Sequence, residues 1–215
     1  MALDEMTPIG LSVKGVLERV GIARHEARRI TLHSSGFLQL ALDYDAQKEP
    51  EGYRLHVWPE QNSLPPSPFA QLSALHDHTF GIDSYVLLGA LRNTPFNVAL
   101  DNDGAYHFMN IEPDKELHIL EARVRATPQR AVTIPTNSFY HIKEGTFHIT
   151  EATTRPTVTI IHKKDPQLGC TPRLLVLLDC QPPQLHVDKA VDQHLAWQII
   201  NDVTEKVRAH YEHHS

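Results

Sequence analysis

Two histidines one residue apart are the first candidates for chemistry in this sequence. His76 and His78 begin the apolar run HDHTFGIDSYVLLGAL, residues 76–91. Alternate residues of a β-strand point to the same side, so both imidazoles are expected to face one way and Asp77 the other. Imidazole binds Fe, Zn, Ni and Cu, and coordination replaces the hydrogen bonds that an imidazole loses on burial. The pair therefore predicts a metal site; the alternative is a pair of hydrogen-bonded core histidines.

A third ligand has to come from another strand, and two histidines compete for that role. His148 follows Gly145 in GTFHIT, and His141 lies seven residues earlier in SFYHIKEG. A glycine marks a turn, after which a new strand can begin. We therefore favour His148 as the third ligand, with His141 as the alternative.

The elements that carry these histidines are predicted to be strands. From Gly36 onward, about ten short segments alternate β-branched, aromatic and polar residues, and most are separated by Pro, Gly, Asn or Asp. This pattern predicts an all-β sandwich or barrel. Apolar residues at helical spacing predict one or two short helices within residues 11–31, broken near Gly21, and a last helix with Asp188 as its N-cap.

The length of 215 residues favours a single domain. We expect an N-terminal helical segment over residues 1–35, a barrel over residues 36–182, and a C-terminal helix within residues 183–215 that packs on the barrel.

Composition narrows the class of partner. The net charge is −6 and the pI about 6.2, whereas nucleic acid and anionic membranes favour basic proteins. We see no signal peptide and no run long enough to span a membrane, so we expect a cytoplasmic protein that binds neither. Its two cysteines, Cys170 and Cys180, are expected to be reduced thiols, with a bridge between them as the alternative. The oligomeric state stays open between a monomer and a homodimer.

One strand is expected to line a pocket beside the metal. In YRLHVW, residues 53–58, Arg54 and His56 alternate with Leu55 and Val57. If the polar side faces the barrel interior, Arg54 and His56 could bind a substrate carboxylate or phosphate, because the guanidinium suits a bidentate contact. The alternative is an exposed edge strand. Arg92 is a weaker candidate of the same type, and Tyr140 could donate a phenol hydrogen bond.

The order of these residues resembles the two motifs of the cupin superfamily. The first motif would run from His76-Asp77-His78 through Asp83 to Gly89, and the second would be Gly145-Thr-Phe-His148. The resemblance implies a cupin double-sheet β-barrel (jelly-roll) in which the histidines and the acid hold one metal. Asp83 stands where Glu is usual, and its shorter side chain suggests a weak fourth ligand or a residue behind the ligands.

The sequence also resembles the thiol dioxygenases, the cysteine dioxygenase branch of the cupins. The similar stretches are HDHT at 76–79, LLGAL at 87–91 and TPF at 94–96. In that branch three histidines hold Fe(II) without a carboxylate, which would fit His76, His78 and His148. The Ser-His-Tyr set of the branch is missing; the matching strand carries Thr159, Ile161 and Lys163.

Together these observations predict a mononuclear non-haem iron dioxygenase. Its substrates would be O2 and a small anionic molecule that bears a thiol or a carboxylate, because three neutral ligands leave the metal a net dication. The alternatives are a Zn-, Mn- or Ni-dependent isomerase, lyase or hydrolase, and a cupin that only binds a small molecule.

Overall fold

A computed structural model describes residues 2–33, 35–43, 52–64, 74–111, 117–165, 171–178 and 189–213. Within these residues two helices, α1 (Val13–His25) and α2 (Gln193–Glu212), flank a set of strands. In chain order the strands are β1 (Ile30–Leu32), β2 (Leu38–Ala41), β3 (Gly52–Trp58), β4 (Gly81–Leu88), β5 (Ala90–Leu100), β6 (Tyr106–Ile111), β7 (Leu117–Pro128), β8 (Val132–Pro135), β9 (Phe139–Ile142), β10 (His148–Ala152), β11 (Thr157–Lys164), β12 (Arg173–Leu177) and β13 (Lys189–Ala190).

The strands form two antiparallel sheets. A seven-stranded sheet has the order β13-β1-β2-β3-β11-β4-β9, and a second sheet has the order β10-β5-β7-β6-β12, with β8 paired to β5. The prediction of an all-β, jelly-roll-like fold with flanking N- and C-terminal helices is confirmed. No helix in the described part of the chain has the length and apolar character that a membrane crossing needs.

Both helices cover the outer face of the seven-stranded sheet. Leu40, Leu55 and Ile160 of the sheet belong to one buried cluster with Val16 of α1 and Ile200 of α2. Successive side chains of a strand point to opposite faces. The alternate residues of these strands therefore point into the space between the two sheets.

Two expectations about the helices are corrected. Helix α1 continues through Gly21 because Val16, Val20 and Ala23 form one buried stripe across that position. Helix α2 begins after Asp192, whose carboxylate accepts from the Leu195 N–H at 3.0 Å. The N-cap of α2 is therefore Asp192 and not Asp188. The boundary at residue 182 and the two cysteines lie outside the described residues.

Gly89, the glycine of the first motif, links β4 to β5 and packs closely against the segment that leads into β11. Its φ is +80°, a conformation that residues with a Cβ rarely adopt. A Cβ there would also come within 2.7 Å of the Pro156 carbonyl oxygen. The glycine therefore serves the turn into β5, the strand that pairs with β10 and thus with His148.

Candidate metal centre

Three histidines converge between the two sheets. Ligand nitrogens of His76, His78 and His148 all lie within 4.8 Å of one another. Backbone pairing fixes two of them, because His76 and His148 exchange N–H···O bonds of 3.3 and 2.9 Å in an isolated antiparallel bridge. The ring centroids of His76 and His78 are 4.7 Å apart. The structure thus brings together the three predicted ligands.

Hydrogen bonds to carbonyl groups set the tautomer of two of these imidazoles. His76 Nδ1 lies 2.8 Å from the Ala74 carbonyl oxygen, and His148 Nδ1 lies 2.9 Å from that of Thr146. A carbonyl only accepts, so Nδ1 must carry the proton and Nε2 keeps its lone pair. This is the arrangement that metal-binding histidines adopt in proteins.

The histidine group fits a metal ion in charge as well as in geometry. Burial lowers the pKa of His76 and His78, and it lowers the pKa of His148 to about 3. Neutral imidazole is the form that binds metals. Zn–N bonds are about 2.0–2.1 Å, so two ligands of one ion lie at most about 4.2 Å apart. Separations of up to 4.8 Å need only small ring movements to reach that limit.

Asp77 holds the segment between the first two ligands. Its side chain is 4% exposed and points away from the histidine group. Oδ1 accepts from the Arg173 backbone N–H at 2.7 Å, and Oδ2 accepts from the Arg173 Nε–H at 2.8 Å. Asp77 thus braces strand β12, as expected, although its segment precedes β4 and is not the strand that the sequence predicted.

Asp83 is placed elsewhere, which corrects its assignment as a ligand or as a residue behind the ligands. On β4, Ile82 and Ser84 face the interior, so alternation turns Asp83 to the other side. Its carboxylate accepts from His141 Nδ1 at 2.7 Å and pairs with Lys164. Burial raises the pKa of Asp83, but hydrogen bonds from Lys164 and His141 outweigh it and leave the pKa below its usual value.

His141 shares that placement. It bonds Asp83, and its side chain is half exposed, so it is not part of the histidine group. Of the two candidates for the third ligand, the structure places His148 in the group.

A small cavity of about 40 Å³ adjoins the histidine group, with room for a few water molecules. Tyr140 lines it, and burial raises the pKa of this phenol to about 12. The phenol is therefore a donor at neutral pH. The lining residues are His33, Ser35, Phe37, His56, Trp58, His76, His78, Ile82, Tyr140, Ile142, His148, Thr150 and Ile161.

The polar face of β3 points inward, as predicted. β3 is hydrogen-bonded to β2 on one side and to β11 on the other, so the edge-strand alternative is wrong. His56 lines the cavity. Arg54 lies two residues before His56 on the same side of β3, but it does not line the cavity. Burial is the main cause of the lowered pKa of His33 and His56, and the positive charge of Arg54 adds to it.

Arg92 does not reach the cavity, which corrects its assignment to substrate binding. It lies on β5 opposite Glu151 of β10, and its guanidinium bonds that carboxylate at 2.8 Å. Both side chains are about half exposed. The cross-strand partner holds Arg92 on the outer surface.

Sequence reasoning missed His33 and Phe37. They lie on the β1–β2 turn, where the Ser35 N–H donates to His33 Nδ1 at 3.2 Å. The His33 ring stacks on Phe37 at 4.3 Å and lies 5.7 Å from the His76 ring. Neither residue belongs to a spaced motif, so only the folding of this turn over the cavity reveals them.

No protein-family model matches this chain, and no curated protein is significantly similar to it in sequence. Among solved structures it is similar to hydroquinone 1,2-dioxygenase PnpCD in complex with Cd²⁺ and 4-hydroxybenzonitrile, with 14% identity and a TM-score of 0.33 over 60% of this chain and 64% of that one. It is similar to a Shewanella oneidensis protein, with 8% identity and a TM-score of 0.29 over 87% and 93% of the two chains. It is also similar to the coconut allergen cocosin, with 11% identity and a TM-score of 0.37 over 83% and 46%. The chain thus spans less than two thirds of the dioxygenase and less than half of cocosin. Similarity at this level assigns neither a family nor an activity.

Proposed function

We propose that this protein is a mononuclear non-haem iron enzyme, a dioxygenase that acts on a small anionic molecule. The observation that carries the proposal is the group of His76, His78 and His148, of which His148 is buried and the other two are partly buried, with ligand nitrogens within 4.8 Å of one another. The motif resemblance to thiol dioxygenases supports the choice of iron, and imidazole ligands suit that metal.

The chain's own contribution is to present three neutral imidazoles at fixed positions. The carbonyls of Ala74 and Thr146 orient two of the rings, and Asp77 holds the intervening segment against β12. Fe(II) held there would supply open coordination positions and the redox chemistry of O2, which is the cofactor's own chemistry. Three neutral ligands leave its dipositive charge uncompensated, which favours an anionic substrate such as a thiolate or carboxylate.

The cavity limits the size of that substrate and controls its surroundings. Its volume of about 40 Å³ suits a molecule of a few heavy atoms. Ile82, Ile142 and Ile161 form a buried apolar cluster on one side, which excludes water from the reacting groups. Tyr140, protonated at neutral pH, can donate a hydrogen bond to an oxygen atom bound in the cavity.

Metal analysis and oxygen uptake test the proposal together. Protein purified without oxygen or added metals should contain iron, and it should consume O2 with a member of a panel of small thiols and carboxylic acids. His148→Ala should abolish both signals, whereas His141→Ala, on the outer surface, should keep both. Full turnover without O2 in protein loaded with Zn²⁺, Mn²⁺ or Ni²⁺ would replace the proposal with Lewis-acid chemistry.

A further inference from the structure

Two nitrogen atoms in the wall of the cavity have no hydrogen-bond partner within the described part of the chain. They are Trp58 Nε1 and His56 Nε2, and both atoms are fully buried. Trp58 as a whole is 3% exposed. The two residues are next-but-one neighbours on β3, so both side chains point to the same side, and both line the cavity that holds the histidine group.

An indole N–H can only donate, so Trp58 needs an acceptor. Buried polar groups without a partner are rare in native proteins, and each one indicates a water, an ion or a ligand that completes it. Among the residues that line the cavity there is no Asp or Glu. No acceptor among the described residues lies within hydrogen-bond distance of the Trp58 N–H, which leaves a place for an acceptor that enters the cavity from solution.

Aromatic packing holds the two nitrogens in place. The Phe37 ring packs against both residues, with its centroid 4.5 Å from that of His56 and 4.5 Å from that of Trp58. His33 stacks on the same Phe37 ring at 4.3 Å. Donors fixed by packing bind with little loss of conformational freedom, which favours affinity for a small ligand.

The charges around this wall favour an anion. Arg54 lies two residues before His56 on the same side of β3. Lys163 lies on the paired strand β11, with its Nζ 4.0 Å from the Phe80 ring centroid. Both side chains act electrostatically on His56, which places their positive charges near this end of the cavity.

We infer that Trp58 and His56 form a carboxylate subsite that faces the three-histidine group. One carboxylate oxygen accepts from the Trp58 indole N–H, and the other accepts from His56 in its Nε2–H tautomer. The aliphatic part of the ligand lies against Ile82, Ile142 and Ile161, and the cavity volume limits it to about two or three carbons. The inference deepens the proposed function, because it names a short aliphatic carboxylate as the substrate class.

Indole N–H spectroscopy tests the subsite without turnover. The chain has two tryptophans, Trp58 and Trp197, so a ¹H–¹⁵N spectrum contains two indole signals, and Trp197→Phe assigns them. The Zn²⁺-loaded protein, which is diamagnetic, is titrated with propanoate and, separately, with propanamide. Propanoate should shift the Trp58 indole proton downfield to saturation, and propanamide should need at least about tenfold higher concentration, because hydrogen bonds to charged groups are stronger.

Variants separate the subsite from the metal centre. Trp58→Phe keeps an aromatic ring and removes the donor, so calorimetry should show propanoate binding about tenfold or more weaker with Zn²⁺ content unchanged. Trp197→Phe, on α2, is the matched control and should keep parental affinity.

Three results would overturn the inference. They are an unshifted Trp58 signal at saturating propanoate, equal affinity for propanoate and propanamide, and a Trp58 signal that is set by water and is the same with and without propanoate. Because the titration uses neither iron nor O2, its outcome does not depend on whether the protein is a dioxygenase.

Discussion

Asp77→Asn tests most sharply how the fold positions the metal ligands. The carboxylate is 4% exposed and accepts from the Arg173 backbone N–H and from the Arg173 guanidinium. Asparagine keeps one acceptor oxygen for the backbone N–H, but its NH2 group then faces the guanidinium donors. Two charge-assisted contacts are lost while the side chain stays buried.

The expected loss of stability depends on how far Arg173 is exposed to water. Removing one partner of a buried ion pair costs about 3–5 kcal/mol, chiefly because the other charge is left unsolvated. Arg173 is 38% exposed and can regain water, so we expect the free energy of unfolding to fall by about 2–3 kcal/mol. Zn²⁺ affinity should fall about 10- to 100-fold, as for other residues that support metal ligands from behind.

Urea unfolding of the metal-free protein and calorimetric titration with Zn²⁺ measure these two quantities. Asp83→Asn is the matched control, because Asp83 is also a buried aspartate, but it bonds His141 and Lys164 and does not lie between two of the histidines. The control should lose stability and keep parental Zn²⁺ affinity. An equal loss of Zn²⁺ affinity in both variants would refute the reasoning.

Three further predictions concern residues around this centre. The lowered pKa of Asp83 adds stability that is present above its unfolded value near 3.8 and is lost as the pH falls through the lower folded value. The parent should therefore lose more stability than Asp83→Asn between pH 5 and pH 2, roughly, in urea unfolding. Arg54 faces the cavity without lining it, so Arg54→Ala should weaken propanoate binding about fivefold in calorimetry, and Arg54→Lys should restore most of it because the charge is kept. Tyr211 donates to Asn137 Oδ1 at 2.6 Å and is 1% exposed. Tyr211→Phe should lower the free energy of unfolding by about 1 kcal/mol and leave Zn²⁺ binding unchanged.

Local sequence patterns were enough to predict most of the strands and to bring the three histidines together. Alternation on YRLHVW placed His56 with Arg54, because a strand's period is independent of its neighbours. The expectation that HDH also lies on a strand is wrong: β4 begins at Gly81, and His76 makes only isolated bridges to His148 and Leu174. The glycine turn before His148 was equally local. These features needed no knowledge of which strands pair.

Errors arose where the position of a side chain depends on pairing. Asp83 was assigned to the metal from motif order, but pairing with β9 and β11 gives it His141 and Lys164 as partners on the opposite face. Arg92 was assigned to the cavity, but its register opposite Glu151 holds it on the surface. A sequence does not specify these cross-strand partners.

His33 and Trp58 illustrate a second limit. They contribute to the cavity through a turn and through an unpartnered indole N–H, which are properties of the folded chain. This chain has fifteen histidines, and a histidine that lies in no spaced motif, such as His33, cannot be told by sequence from one on the surface.

The most direct test of the three-histidine centre is the stoichiometry of Fe(II) bound by metal-free protein, measured by anaerobic calorimetry in the parent and in two single variants. The account predicts one ion per chain in the parent and in His141→Ala, and no stoichiometric binding in His148→Ala. Retention of the ion by His148→Ala together with its loss in His141→Ala would contradict the account, because the ligand set would then lie on the outer face of β9.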